Sequence, residues 1–520
     1  MSRRAVSLVA AVAAATAGLL PIITSTAANA APVVQQQQNS VTKLAAEKWE
    51  DSPVYKKWVA LGGAAFAGDK VGEEVVQSDG IRYAKFSKNV VITWKDGVGA
   101  YWFSGAIAAR WEFVSVKDGI ASTVATMDQV AANRGAQAGA ATAFLDGSSV
   151  YYSDAYGAYG ISGTNRAKFW ANGSITGRFG LLTSEEHIHS AGGKSQSFSE
   201  AVVFYKKDGT DTPYWISGAL RDQYHSDGGP SGPAGWLTRD QVEAPGSGWT
   251  AGITGGTIYW SAATGAQRLT GDIEAKFVQQ GGPGGHAGYP ISGVKPVGTG
   301  TYAQFRNAVE IYHSAATGAH WLSGGLRDHL QVNGGVTGPL GFPTSDQFAT
   351  TGRNGLYVLF GPSKVILWGP TTGARVVQDQ YLAKLRADGD VRDYGLPETG
   401  IAQVGPYNFQ QFQDASIFDG NGRNTITIGW DFRRGWWQLG GYSGFLGMAT
   451  TDVYWIADGV IGQNFDGGYL YCDYNEGQCY YNTWNSAAAK TASADQPKVT
   501  LDKARAEGKK LIPTAKAPRK

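Results

Sequence analysis

From Tyr55 to Trp484 the apolar positions recur in one order. A strand-like segment ends on a large anchor, successively Phe86, Phe144, Phe198, Ile253, Phe305, Phe360, Phe412 and Phe465. A few residues later a second strand passes through Ile92, Val150, Val203, Ile258, Ile311, Ile366, Ile417 or Leu470. A glycine turn follows, clearest in "SAATGA" at Ser261–Ala266 and again at Ser314–Ala319, and two aromatic or β-branched runs flanking such a turn predict a hairpin. Next come segments such as "LTGDIEAKFVQQGG" from Leu269 and "LSGGLRDHLQVNGG" from Leu322, whose apolar spacing and closing Gly-Gly predict a short helix. Before each hairpin, Thr126/Gln129, Thr183/Glu186, Thr238/Gln241 and Thr344/Gln347 have the spacing of a capping box and predict a helical turn. Each copy is thus expected to hold about three short antiparallel strands and one helix.

The copies align on a glycine at 68, 180, 235, 288, 341, 395 and 447, with Thr123 in its place in the second. A period this regular marks a tandem array of eight units rather than unrelated domains. The eighth copy ends after its hairpin, whereas "SPVYKKWVALGG" supplies a helix ahead of the first glycine. An open array would leave an apolar face and a sheet edge uncovered, so the expected architecture is a mainly β, closed, propeller-like ring whose last unit borrows that helix. A curved open array or two smaller rings are the alternatives.

Composition adds the setting. With 72 Gly among 520 residues, 12% aromatics and only 17% charged residues, the chain is no solvated disordered polymer. Arg3 and Arg4, an apolar run from Ala5 to Leu20 and Ala28-Asn29-Ala30 have the order of a secretory leader over 1–30, followed by a linker over 31–48. No later stretch is apolar for the roughly 18 residues that a spanning helix needs, so no transmembrane anchor is expected. The end, 485–520, is rich in Ala, Lys and Pro, and Thr491–Lys520 carries eight basic and three acidic residues. It is expected to be an unpacked basic tail able to touch anionic wall polymer.

Candidate chemistry is sparse. The only cysteines, Cys472 and Cys479, occupy the last hairpin, at positions held elsewhere by Trp94/Tyr101, Tyr152/Tyr159, Trp260/Gln267, His313/His320 and Trp368/Arg375. These pairs are expected to face one another, and in an oxidising compartment the two cysteines should form a disulfide. His313/His320 and His187-Ile-His189 lack a visible third ligand, so no metal site is expected. There is no Gly-x-Ser-x-Gly elbow and no His-Glu-x-x-His pair. Gly193-Lys194-Ser195 lacks the first glycine of a phosphate loop, and Glu73-Glu74 and Glu185-Glu186 are explained by the repeat turn rather than as a glycosidase pair. No catalytic residue, cofactor or nucleic-acid partner is expected.

The residue preceding each pair is large and apolar in nearly every copy and is assigned to the core. The pair position itself varies too much for a packed interior and is placed at a solvent rim. Trp94, Tyr152, Tyr205, Trp260 and Trp368 are the candidate ligand-binding residues there, because flat sugar faces stack on such rings. Cross-strand packing is the competing role for them.

"PLGFPTSDQF" from Pro339, with "AGYPISG", "YGLPETG" and "FLGMATTD", resembles the LGFP repeat family of actinobacterial exported proteins. The resemblance implies a non-catalytic, cell-wall-associated domain, elsewhere appended to mycolyltransferases, that engages wall polysaccharide such as arabinogalactan. Here the repeats fill nearly the whole chain, with no separate catalytic domain among them. Lys70, Ala125 and Ala449 stand where the motif has proline. The expected function is therefore polysaccharide binding at the cell envelope. A hydrolase or esterase with a non-local site, or a protein-binding scaffold, are the alternatives.

Overall fold

The anchors are where the pattern puts them: Phe86, Phe144, Phe198, Ile253, Phe305, Phe360, Phe412 and Phe465 are all buried. The computed structural model describes residues 47–117, 123–190, 192–205, 212–484 and 499–514. The leader and the linker as far as residue 46 lie outside the described residues. The chain divides into two compact bodies, Met1–Ser162 with repeats 1 and 2, and Gly163–Lys520 with repeats 3 to 8.

Every repeat is mainly β and starts with a helix: α1 (Pro53–Ala60), α2 (Gly105–Lys117), α3 (Gly163–Ala171), α4 (Gly218–Ser226), α5 (Gly271–Gln279), α6 (Gly324–Val332), α7 (Asp379–Ala387) and α8 (Trp430–Gln438). An antiparallel meander in sequence order follows each helix, with four strands rather than the expected three. The extra one is the first strand, as short as Val130–Ala131 or His187–Ile188, too brief to show an alternation in sequence. Within the second body, helices such as α4, α5 and α6 pack between the sheet before them and the sheet after them. One apolar cluster therefore joins Ile216, Leu220, Tyr224 and Ile258 across consecutive repeats.

The expected closed ring is not detected among the described residues. Helix α1 packs on the second, third and fourth strands of its own repeat's sheet. It is the helix of repeat 1, ahead of its sheet as in every other repeat. The last sheet is instead covered by the C-terminal segment, which forms α9 (Leu501–Glu507) and a fifth strand, Lys509–Pro513, paired with Gln478–Thr483. Val499, Ala504 and Ile512 are buried, and Val499 and Ala504 share a cluster with Tyr469, Tyr471 and Trp484. The tail is thus packed over 499–514, because apolar residues spaced among its lysines supply the face that another repeat's helix would supply.

The Thr-x-x-Gln segments are not helical turns. In the even-numbered repeats their last two residues clamp the free edge of the preceding sheet. Trp215 N–H donates to Asp240 Oδ1 (3.2 Å) and Ser217 N–H to Gln241 Oε1 (2.9 Å). Trp321 and Ser323 donate in the same way to Asp346 and Gln347, and Trp102 and Ser104 to Asp128 and Gln129. A lysine of the preceding odd-numbered helix completes each clamp: Lys57–Asp128 (2.7 Å), Lys168–Asp240 (2.6 Å), Lys276–Asp346 (3.0 Å) and Lys384–Asp452 (2.6 Å). The even-numbered helices have Arg110, Gln223, His329 and Gly435 at the lysine position. The true period is therefore two repeats.

Candidate binding surface and a histidine-lined cleft

Trp94, Tyr152, Tyr205, Trp260 and Trp368 all fall in third strands, each of a different repeat. The Tyr205 side chain lies outside the described residues. The other four are half-buried, and each packs against a different apolar cluster. In repeats 5, 6 and 7 this position meets the second residue of the repeat's own helix. Trp368 lies over Gly325, where a Cβ would come within 2.3 Å of the indole nitrogen. His313 Nε2 lies 2.9 Å from Asp272, and Gln380 donates to Asp419 at 2.8 Å. A large ring faces a glycine and polar groups face one another, so each pair is matched locally. Among the residues assigned to the core just before this position, Tyr259, Tyr312, Leu367, Phe418 and Tyr471 are buried, whereas Tyr151 is half-buried.

Cys472 and Cys479 form the expected disulfide, directly opposite one another and buried. The five pairs taken as its equivalents do not face one another: Trp94 opposes Ala100, Trp260 opposes Ala266, and Tyr312 opposes His320. Those hairpins turn through three residues, which pairs residues an even number apart. In the last hairpin Asp473 accepts from Asn475 N–H (3.0 Å) and Glu476 N–H (3.3 Å), and the turn takes four residues. The register shifts by one and the cysteines meet.

Two clefts lie at equivalent places in the second body, each between the face of one sheet and the helix end of the next repeat. One, of about 210 Å³, is lined by Thr350, Tyr357, Val365, Arg386 and Asp390. The other, of about 560 Å³, has His189, Ser195, Val202, His225 and Gly229 in the corresponding positions, with His187 beside them. Ser195 thus stands where Tyr357 partly fills the smaller cleft, and its Oγ lies 2.8 Å from His189 Nε2. The His189 ring lies edge-on to His187 (4.7 Å between centroids) and Trp236 (5.5 Å). Burial holds the His189 imidazole below the ordinary histidine range, and His187 and His225 add to this. His225 is held down by burial and by Arg221. Glu186 is engaged by Lys194 (2.6 Å) and Asn165 (3.1 Å). Among the described residues no group of three or more His, Cys, Asp or Glu side chains is placed to hold a metal. His187, Glu185-Glu186 and Ser195, set aside singly in the sequence, converge here because the first two strands of repeat 3 pair His187 with Ser195.

Comparison with known proteins bears on the repeat itself. The family model described as LGFP repeat matches residues 235–285, 288–338 and 340–392. The chain thus carries three LGFP repeats, which together span under a third of its length. No curated protein matches it. Among solved structures, the computationally designed Ika8 protein is 11% identical, with 66% of this chain and 82% of that one covered, at a TM-score of 0.10. The extracellular domain of a hybrid two component system from B. thetaiotaomicron is also 11% identical, over 79% of this chain and 50% of that one, at 0.13. Superpositions that loose carry no argument.

The LGFP motif does backbone work in this fold. Its glycine takes a positive φ, +77° at Gly341 and +75° at Gly395, and a Cβ at Gly395 would come within 2.6 Å of Gln413. Two residues on, Pro290, Pro397, Leu182 and Ala449 bridge to the anchors Phe305, Phe412, Phe198 and Phe465. The bridge is made by backbone, which is why alanine serves at position 449. Sequence reading missed the exposed helix position just after each buried helix anchor. It holds Trp170 after Phe169 (47% exposed) and Trp437 after Trp436 (46%), and its equivalents His225 and Arg386 line the two clefts. The signal was present as two adjacent large side chains on one helix turn, of which only one can face the core. Among the described residues no helix is long and apolar enough to cross a membrane.

Proposed function

We propose that this LGFP-repeat protein is an exported binding module of the cell envelope that holds a carbohydrate polymer, of the arabinogalactan kind, on its repeats. The observation that carries the reading is the exposure of Trp170 and Trp437 just after the buried helix anchor, at the position whose equivalents His225 and Arg386 line the two clefts. An indole held there offers an apolar face to the C–H side of a sugar ring, while neighbouring polar side chains take its hydroxyls. Arg166 lies 3.7 Å from the Trp170 ring and fixes its orientation. The leader pattern and the disulfide support export into an oxidising compartment. The half-buried Trp94, Tyr152, Trp260 and Trp368 are helix-packing residues in this reading.

Co-sedimentation of the protein lacking residues 1–30 with isolated actinobacterial cell walls tests it, with purified arabinogalactan as competitor. The double variant Trp170→Ala, Trp437→Ala should lose at least roughly tenfold in affinity, about 1.4 kcal/mol. Unchanged binding by that variant would remove the indoles from the proposal, and absence of binding by the parent protein would remove the function.

A further inference from the structure

We propose that Ser195 and His189 are a nucleophile–base pair that hydrolyses a carboxylic ester seated in the cleft between the sheet of repeat 3 and the end of α4. This goes beyond polymer binding and replaces the non-catalytic expectation at this one place.

Comparison of the repeats within the chain singles the cleft out. The residue three before the anchor is Tyr83, Ala141, Thr250, Tyr302, Tyr357, Phe409 and Gly462 in repeats 1, 2, 4, 5, 6, 7 and 8, and only in repeat 3 is it a serine, Ser195. The small side chain opens the larger of the two clefts, and its hydroxyl meets an imidazole nitrogen at hydrogen-bond distance. Three of the chain's seven histidines border that space. The ring contacts with His187 and Trp236 hold the His189 plane, as a base must be held to act repeatedly on one hydroxyl. Neutral at pH 7, His189 can accept a proton through Nε2 when its other nitrogen carries the hydrogen.

The chemistry balances with water as the only co-reactant. Ser195 Oγ forms a bond to the ester carbonyl carbon while His189 Nε2 takes the hydroxyl proton. Collapse breaks the carbon–alkoxy bond, and the proton passes from His189 to the departing alkoxide. Water then attacks the acyl-serine, giving one proton to His189, which returns it to Ser195 as the carboxylic acid leaves. The cleft is open to solvent, with the exposed Glu185 and His187 among its lining, which fits an ester carried on a larger molecule.

The test uses the full chain without residues 1–30. A fluorophosphonate should form one covalent adduct, located on Ser195 by peptide mass spectrometry, and p-nitrophenyl acetate should be turned over. Ser195→Ala should abolish the adduct and His189→Gln should slow its formation by roughly a hundredfold or more. The rate should rise with pH as His189 loses its proton. An adduct elsewhere, no adduct, or equal turnover by Ser195→Ala would overturn the proposal. Adduct mapping on the unsubstituted chain needs no variant to fold. Adduct formation and turnover are read on the free protein with no cell wall present, so their failure is distinguishable from failure of wall binding.

Discussion

Lys276 on α5 reaches across to Asp346 of the following repeat, 3.0 Å away, and the same carboxylate accepts the backbone N–H of Trp321. Both side chains are largely shielded from water, so the pair couples two repeats under conditions where exposed ion pairs contribute little. Asp346→Ala should cost about 2–3 kcal/mol, because it strands an ammonium and a strand-edge N–H together. Lys276→Met keeps the stem and leaves the N–H satisfied, and should cost about 1 kcal/mol. Urea titrations of the two variants and their combination check this, with non-additivity expected between them.

Gly325→Ala should destabilise repeat 6 by about 1–3 kcal/mol, since the new methyl would displace the Trp368 indole from its place over α6. Denaturation followed by tryptophan fluorescence reports both effects. Pairing it with Trp368→Leu should recover much of the loss, whereas an indole at a solvent rim would have tolerated the alanine.

Stability should fall on mild acidification. Burial depresses His189, His225, His286 and His329 below the usual 6.5. Below that value the unfolded chain binds protons that the folded chain refuses, so their contribution is full above pH 6.5 and is lost as pH falls toward the depressed values. Thermal midpoints at pH 7.5, 6.5 and 5.5 should descend in that order, less steeply in His329→Gln. A midpoint that rises on acidification would contradict the assignment.

Reduction of Cys472–Cys479 should loosen the end of the array before its middle. Cys479 pairs across to Ile512 in the C-terminal strand, so amide exchange over 509–513 should quicken while α5 and α6 stay protected. The staple closes a short loop and should contribute about 2 kcal/mol. Exchange that accelerates equally throughout would show that the terminal repeat does not open by itself.

The anchors and the period were legible in the sequence because each repeats one packing problem eight times. The two-repeat alternation was equally visible, in Lys57, Lys168, Lys276 and Lys384 and in Asp128, Asp240, Asp346 and Asp452. It read as a local cap because its partners lie 68 to 72 residues apart. Variation at Trp368 suggested exposure, when the matching residue, Gly325, sits on a helix tens of residues earlier. The tail was misread because its composition hides where Val499, Ala504 and Ile512 fall. Ser195 and His189 carried no recognisable motif, and their meeting depends on how short strands pair.

The bend at Asp473 reaches further than the turn it shapes. Tyr259/Gln267, Tyr312/His320 and Leu367/Arg375 are opposed at a separation of eight residues. Cysteines transplanted into those hairpins at the spacing of Cys472 and Cys479 would point to opposite faces and stay reduced. Oxidation of this chain is thus expected to depend on the turn that Asp473 holds. Asp473→Ala should leave two intact thiols side by side in the sequence pattern and out of reach in space.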